Sequence, residues 1–421
     1  MNILTDTRSP WSLRVGGFLL AEAVSAIGSF GTMIAIWAYG AYRYHATPGQ
    51  IALYGMAFTL PAVVLGPVGG LVVDRIGQRA TLLPAKALGV VASLALLRAH
   101  SFTQLTVLSA LHGVASAFAR PALASLPPRM VAEHHLARTN ALMGLTEQVS
   151  IVLGPVFAGV AIGLFGFRGA FVFDAGSYAL GIVVLPLVHL TPAPRADAAG
   201  HPWRDAVAGW AVVSRAGVVR RVVIVTFALS VLYGTSMLAE PLYVRDVLHK
   251  SPAVFASLQT AFGITLILAG VVAARAADRM ATFGWVATGV IGSGITAGVY
   301  LGTRSVVIAF VGVMVWGFFT GVIGGPSTTL LQWATDESLH GRVMAANMLA
   351  SSVATFLGLG VSGIAISALG VRMWIIALGF TVSSVGGVLA LSDRAAARTG
   401  RATSPARPSV DPRLDAPPVP R

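Results

Sequence analysis

Residues 70–79 read Gly70-Leu71-Val72-Val73-Asp74-Arg75-Ile76-Gly77-Gln78-Arg79, a short charged turn between two long apolar runs. The Asp-Arg pair returns 204 residues later as Asp278-Arg279. The same offset links Ala57-Phe58 with Ala261-Phe262, Gly66 with Gly270, Gly113 with Gly317, and Arg138 with Arg342. It also links Leu153-Gly154 and Gly159 with Leu357-Gly358 and Gly363, and Gly166 and Arg168 with Gly370 and Arg372. Matched glycines alone would say little, because the chain holds 47 of them. The Asp-Arg pair and the loop arginines make the constant offset decisive, and the chain reads as two copies of one unit.

Composition says what kind of unit it is. The 421 residues are 55% hydrophobic and only 11% charged, against about 25% charged in an ordinary soluble domain. So few charges cannot clothe a water-soluble surface of this size, which excludes a soluble enzyme. Twelve apolar stretches, at about 15–42, 51–73, 80–98, 102–126, 138–165, 168–190, 219–245, 253–275, 282–302, 304–330, 340–369 and 371–391, are each long enough to cross a bilayer core. The first is too long for a signal-peptide core and is expected to be retained. Six spans map onto six in the same orientation, which is a parallel repeat about an axis along the membrane normal. Such a repeat places a substrate site near the midplane, between the halves. The expected fold is an all-α membrane protein of twelve transmembrane helices in two pseudo-symmetric six-helix bundles. Its parts are an N-terminal bundle (1–190), a cytoplasmic linker with an amphipathic helix carrying Trp203, Val207, Trp210 and Val213 (191–218), a C-terminal bundle (219–391) and a disordered cytoplasmic tail (392–421).

The net charge of +13 reads as topology. With the N-terminus inside, 21 basic residues fall in inside segments and 7 in outside ones. That asymmetry puts both termini in the cytoplasm of a multi-pass cell-membrane protein and needs no nucleic-acid partner. There are no cysteines, so thiolate chemistry and Cys-ligated metals are excluded. His134-His135 is an adjacent pair without metal-ligand spacing, and Gly324-Gly325 lacks the Lys-Ser/Thr of a phosphate loop. No catalytic set, metal or cofactor is expected.

The turn at 70–79 resembles the G-x-L-x-D-R-x-G-R-R loop motif of the major facilitator superfamily, with Val72 and Gln78 departing from it. In physical terms, Gly70 and Gly77 let two helices approach. Asp74 stands where a neighbouring helix N-terminus can stabilise its charge, and Arg75 and Arg79 are inside-positive anchors. Asp278 and Arg279 repeat the turn. Gly154-Pro155 followed by Gly159 looks like a shortened form of the superfamily's antiporter motif: small residues permit close helix contact and the proline bends the helix. The run Pro121–Val131, with Arg138–Leu142 and Phe173–Tyr178, is similar to the enterobactin-exporter and macrolide-efflux branch. One departure is Ser109, four residues before Gly113, where many proton-coupled exporters of the superfamily carry Arg. The resemblance implies the major facilitator fold and transport by alternating access.

Ionisable residues within spans are costly and are functional candidates by default. Glu22 and Glu147 sit about eight and nine residues into the first and fifth spans, and the resemblance implies that both face the central cavity. They are candidates for proton coupling, with His112 as a third. Lys86 is expected to snorkel to the interface and Asp174 to serve helix packing. For Glu240, an outer gate and an ion pair with Arg245 are both open. Trp37, Tyr39, Tyr233, Trp316 and Phe319 are candidates for lining a substrate cavity. The expected function is proton-coupled efflux of a small organic molecule (drug, macrolide or siderophore-like) by a monomer whose partners are its substrate, protons and the bilayer. The alternatives are a facilitated importer or uniporter, and a non-transporting receptor or scaffold.

Overall fold

The computed structural model describes residues 12–191, 210, 213–214, 217–335 and 339–398. Among them every regular element is helical. Twelve helices are long and apolar enough to cross a membrane. In the first half they are α1 (Leu13–Arg43), α2 (Pro48–Ile76), α3 (Gln78–Leu96), α4 (Phe102–Ala124), α5 (Glu133–Phe165) and α6 (Phe167–Val184). In the second half they are α7 (Gly217–Asp246), α8 (Pro252–Arg275), α9 (Phe283–Gly302), α10 (Val306–Trp333), α11 (His340–Leu369) and α12 (Val371–Arg398). Most of the expected linker, including Trp203 and Val207, and the tail beyond Arg398 lie outside the described residues. The last helix continues past the expected start of the tail at Ser392.

Local sequence explains where helices stop. Gly77, Gly166 and Gly370 have φ of 88°, 66° and 79° with extended ψ, a region essentially closed to residues with a Cβ. Each ends one helix and starts the next without a longer loop. That is why Gly166 and Gly370 hold matching places in the repeat and why Gly77 stands in the charged turn. Several helices start on polar caps: Ser12, Ser101, Thr282 and Ser305 accept from backbone amides, and Thr47 forms a capping box with Gln50.

Packing obeys the repeat. Within the first half α1 packs on α5 and α6, and α4 on α2 and α3, while α3 also packs on α6. Adding six to each helix number gives the pairs of the second half: α7 on α11 and α12, α10 on α8 and α9, and α9 on α12. Gly113 lets α4 press against the Phe58 carbonyl of α2, and its mate Gly317 lets α10 press against the Phe262 carbonyl of α8. The halves meet through two crossings that the same symmetry exchanges, α2 with α11 and α5 with α8.

Both crossings make close contacts at the end where α1 leads to α2 and α7 to α8, here called the distal end. A Cβ at Gly363 of α11 would lie 2.6 Å from the Ala52 Cβ, and one at Gly159 of α5 would lie 3.2 Å from the Ala256 Cβ. Ala52 and Ala256 are themselves 204 residues apart. Hydrogen bonds tie the halves at the same end. The Tyr42 hydroxyl donates to the Lys250 carbonyl at 2.8 Å, and Arg245 Nη1 donates to the Ala41 carbonyl at 2.6 Å.

Candidate functional site: a cavity between the halves

Proximal to this seal lies a small cavity between the halves, with about 30 Å³ of room for the centres of water-sized spheres. Helix periodicity builds its walls. Phe30, Met33, Ile34 and Trp37 form one stripe of α1; Tyr233, Ser236, Met237 and Glu240 form the facing stripe of α7. Both follow the i, i+3, i+4, i+7 spacing of a single helix face, and Met33 and Met237 are repeat mates. The α8 helix adds Phe255, Gln259 and Phe262, α5 adds Ile151 and α10 adds Trp316. Rings dominate: Phe262 and Trp316 have centroids 4.8 Å apart, and Trp37 stands edge-on to Tyr54 at 4.9 Å. Glu240 is 2% exposed, and its Oε2 has no hydrogen-bond partner. No Lys, Arg or His is among the lining residues.

A cavity between two symmetry-related six-helix bundles invites comparison with known transporters. A family model described as Major Facilitator Superfamily matches residues 18–240, more than half the chain. The chain belongs to this superfamily. It is 26% identical over 167 residues to YfiS of Bacillus subtilis (strain 168), an uncharacterized MFS-type transporter, covering 40% of each protein. It is 24% identical over 365 residues to y4rN of Sinorhizobium fredii (strain NBRC 101917 / NGR234), also an uncharacterized MFS-type transporter, covering 83% of this chain and 87% of that one. Among solved structures, a bacterial homologue of the human lysosomal transporter Spinster, inward-facing and unoccupied, superposes with a TM-score of 0.76 at 14% identity, covering 90% of this chain and 96% of the other. The nucleoside transporter NupG superposes with a TM-score of 0.72 at 11% identity over 91% of this chain and 99% of the other. These structures share the fold. The protein is thus a multi-pass membrane transporter of the superfamily, and its relatives are transporters rather than enzymes.

Of the residues singled out from sequence, Trp37, Tyr233 and Trp316 line the cavity. Tyr39 does not: it stacks with Tyr44, Phe167 and Phe171 inside the first half. Two residues along a helix is a turn of about 200°, so Trp37 and Tyr39 cannot share a face. Phe319 also turns away, with its ring against Gly292 of α9.

Glu22 corrects a further expectation. It is 7% exposed and lies inside the first half, not on the cavity, where Lys86 Nζ meets its Oε1 at 2.8 Å. Lys86 does not snorkel. Gly181 of α6 leaves the slot that the lysine fills, and the ammonium lies 5.8 Å from the centre of the Tyr178 ring. The pair continues into a buried polar cluster. Ser29 donates to Asp174 Oδ1 and lies 3.0 Å from Tyr178 Oη, Ser93 donates to Asp174 Oδ2 at 2.8 Å, and His112 Nε2 lies 3.3 Å from Ser93 Oγ. Asp174 therefore bridges α1, α3 and α6, which fits a packing role. Among the described residues the second half has no counterpart of this cluster. The mates of Lys86, Ser93, His112, Asp174 and Tyr178 are Val290, Ala297, Trp316, Leu378 and Val382, all buried.

Glu147 is exposed, one helical turn proximal to cavity-lining Ile151 on the same face of α5. Gly154 packs against Phe30 of α1, Pro155 is buried within α5, and Gly159 is at the distal seal. In the charged turn, a Cβ at Gly70 would meet nothing within 4 Å; the close approach is made at Gly69, on the Ala117 carbonyl of α4. Asp74 and Arg75 are exposed. Arg79 Nη2 donates to the Val188 carbonyl at 2.5 Å, fastening the turn to the end of α6. Arg279 is exposed in the one-turn helix Ala277–Met280, and the side chain of Asp278 lies outside the described residues. Among the described residues no group of three or more His, Asp or Glu is placed to hold a metal ion.

The cavity residue that sequence reasoning undervalued is Glu240. Its signal was available: Tyr233, Ser236, Met237 and Glu240 share one face of the helix whose repeat mate is α1.

Proposed function

We propose that the protein is a secondary transporter that exports a small organic molecule across the cell membrane, driven by protons moving inward. The observation that carries this reading is the cavity between the halves, closed distally by symmetric Gly–Ala crossings. The excess of basic residues in proximal segments supports a cytoplasmic proximal end and cytoplasmic termini. The cavity then opens to the cytoplasm in this state and to the outside once the halves rock about α2–α11 and α5–α8. The efflux direction is supported by the likeness of Pro121–Val131 and of Gly154-Pro155 with Gly159 to the exporter branch. Glu147 is the foremost coupling residue, because it is exposed and lies one turn proximal to cavity-lining Ile151 on the same face of α5. Glu22 and His112 act through the cluster around Asp174, which sets how the first half packs. The molecule works as a monomer.

The test is uptake into everted vesicles from cells expressing the protein, across a panel of siderophores, macrolides and cationic dyes. Gradient-dependent uptake of at least one compound, abolished in Glu147→Gln at unchanged expression, is the expected result. Movement of none of them would overturn the reading.

A further inference from the structure

We propose that the inter-half cavity binds a monovalent organic cation with apolar or aromatic substituents, with the Glu240 carboxylate as its counter-ion. The proposal rests on the reading of this cavity as the transport site and specifies what that site takes.

Three observations carry it. Glu240 lies in the cavity wall, 2% exposed, with Oε2 lacking any hydrogen-bond partner. A carboxylate buried this way is costly unless it takes up a proton or a counter-charge arrives. The basic residue nearest along the same helix, Arg245, does not supply it: its guanidinium is spent on the carboxylate of Asp246 and the Ala41 carbonyl. Secondly, packing does not require the acid. The matching position in the first half is Ile36, buried like its counterpart, so the fold accepts an aliphatic side chain at this depth.

Thirdly, the rest of the wall suits a cation. Phe30, Trp37, Phe255, Phe262 and Trp316 line the same space. Ring faces carry negative potential and attract cations, most strongly for Trp. With no basic side chain in the wall, an anion would find no counter-charge and would face the Glu240 carboxylate. A divalent cation would leave one charge unpaired in an apolar site.

The experiment is equilibrium binding to the purified full-length protein of two probes with the same shape and opposite charge, tetraphenylphosphonium and tetraphenylborate. Saturable phosphonium binding at least about tenfold tighter than borate binding is expected. Glu240→Gln should lose that preference, while Glu240→Asp should keep most of it. Equal binding of the two probes by the wild-type protein, or undiminished phosphonium binding by a folded Glu240→Gln, would overturn the proposal. The wild-type comparison decides even if the glutamine variant does not fold. Gradient-driven movement of some other compound without phosphonium preference overturns the cation site and leaves transport standing. Phosphonium binding with no gradient-driven movement of any compound does the reverse.

Discussion

Lys86 and Glu22 are two charges that exist only as a pair. Both are buried, 2.8 Å apart, inside one half of the molecule. Removing one partner leaves the other charged group uncompensated in a buried site, at a cost of about 3–5 kcal/mol, whereas an apolar or neutral pair of similar volume is often tolerated. Lys86→Met is therefore expected to lower the thermal unfolding temperature in detergent markedly, and Glu22→Gln combined with Lys86→Met to recover most of the loss. A single variant as stable as the wild type would contradict the pairing. The pair was half-legible in the sequence: each charge lies a similar distance from the proximal start of its helix, with Glu22 in α1 and Lys86 in α3. What a single chain did not reveal is helix rotation, which separates Trp37 from Tyr39 and turns Glu22 away from the cavity.

At the scale of helices, repeated glycines turn out to have different jobs. Gly159 and Gly363 sit where the halves cross, Gly113 and Gly317 where helices cross within a half, and Gly166 and Gly370 where the backbone needs positive φ. Gly66 and Gly270 face open space. A side chain added at the first group would hold the distal ends apart. With a Cβ only 2.6 Å from Ala52, Gly363→Val should lengthen the distance between spin labels at Arg43→Cys and Lys250→Cys, while Gly66→Ala should leave it unchanged. Because the chain has no native cysteine, those labels are unambiguous. An unchanged label distance in the valine variant would rule out a distal seal at this crossing. The offset of 204 residues made these positions visible in the sequence, but only geometry sorts them by role.

For the molecule as a whole, the rocking motion gives Asp74 a task that this state does not show. It lies exposed near the proximal end of α2, the helix that meets α11 distally through Ala52 and Gly363. α11 runs antiparallel to α2, with its N-terminus at the proximal end. Closing that end brings Asp74 toward the N-terminus of α11, where backbone amides favour a negative charge. Asp74→Asn is expected to slow transport in vesicles several-fold while leaving ligand binding to the cavity unchanged; unaltered transport would remove Asp74 from the cycle. The twelve spans, the two-fold repeat and the cavity between the halves could all be read from the chain, because hydropathy and repetition are one-dimensional signals. The division of chemistry between the halves could not, because it depends on which side chains meet across helices.

That division limits what duplication alone could have made. A protein assembled from two copies of the first half would keep the symmetric crossings and the glycine turns. It would have Ile36 in place of Glu240 and His112 in place of Trp316. Such a molecule would inherit the hinge without the discrimination. On the proposed reading, the ancestry shared by the halves supplies the movement, and their divergence supplies the choice of cargo.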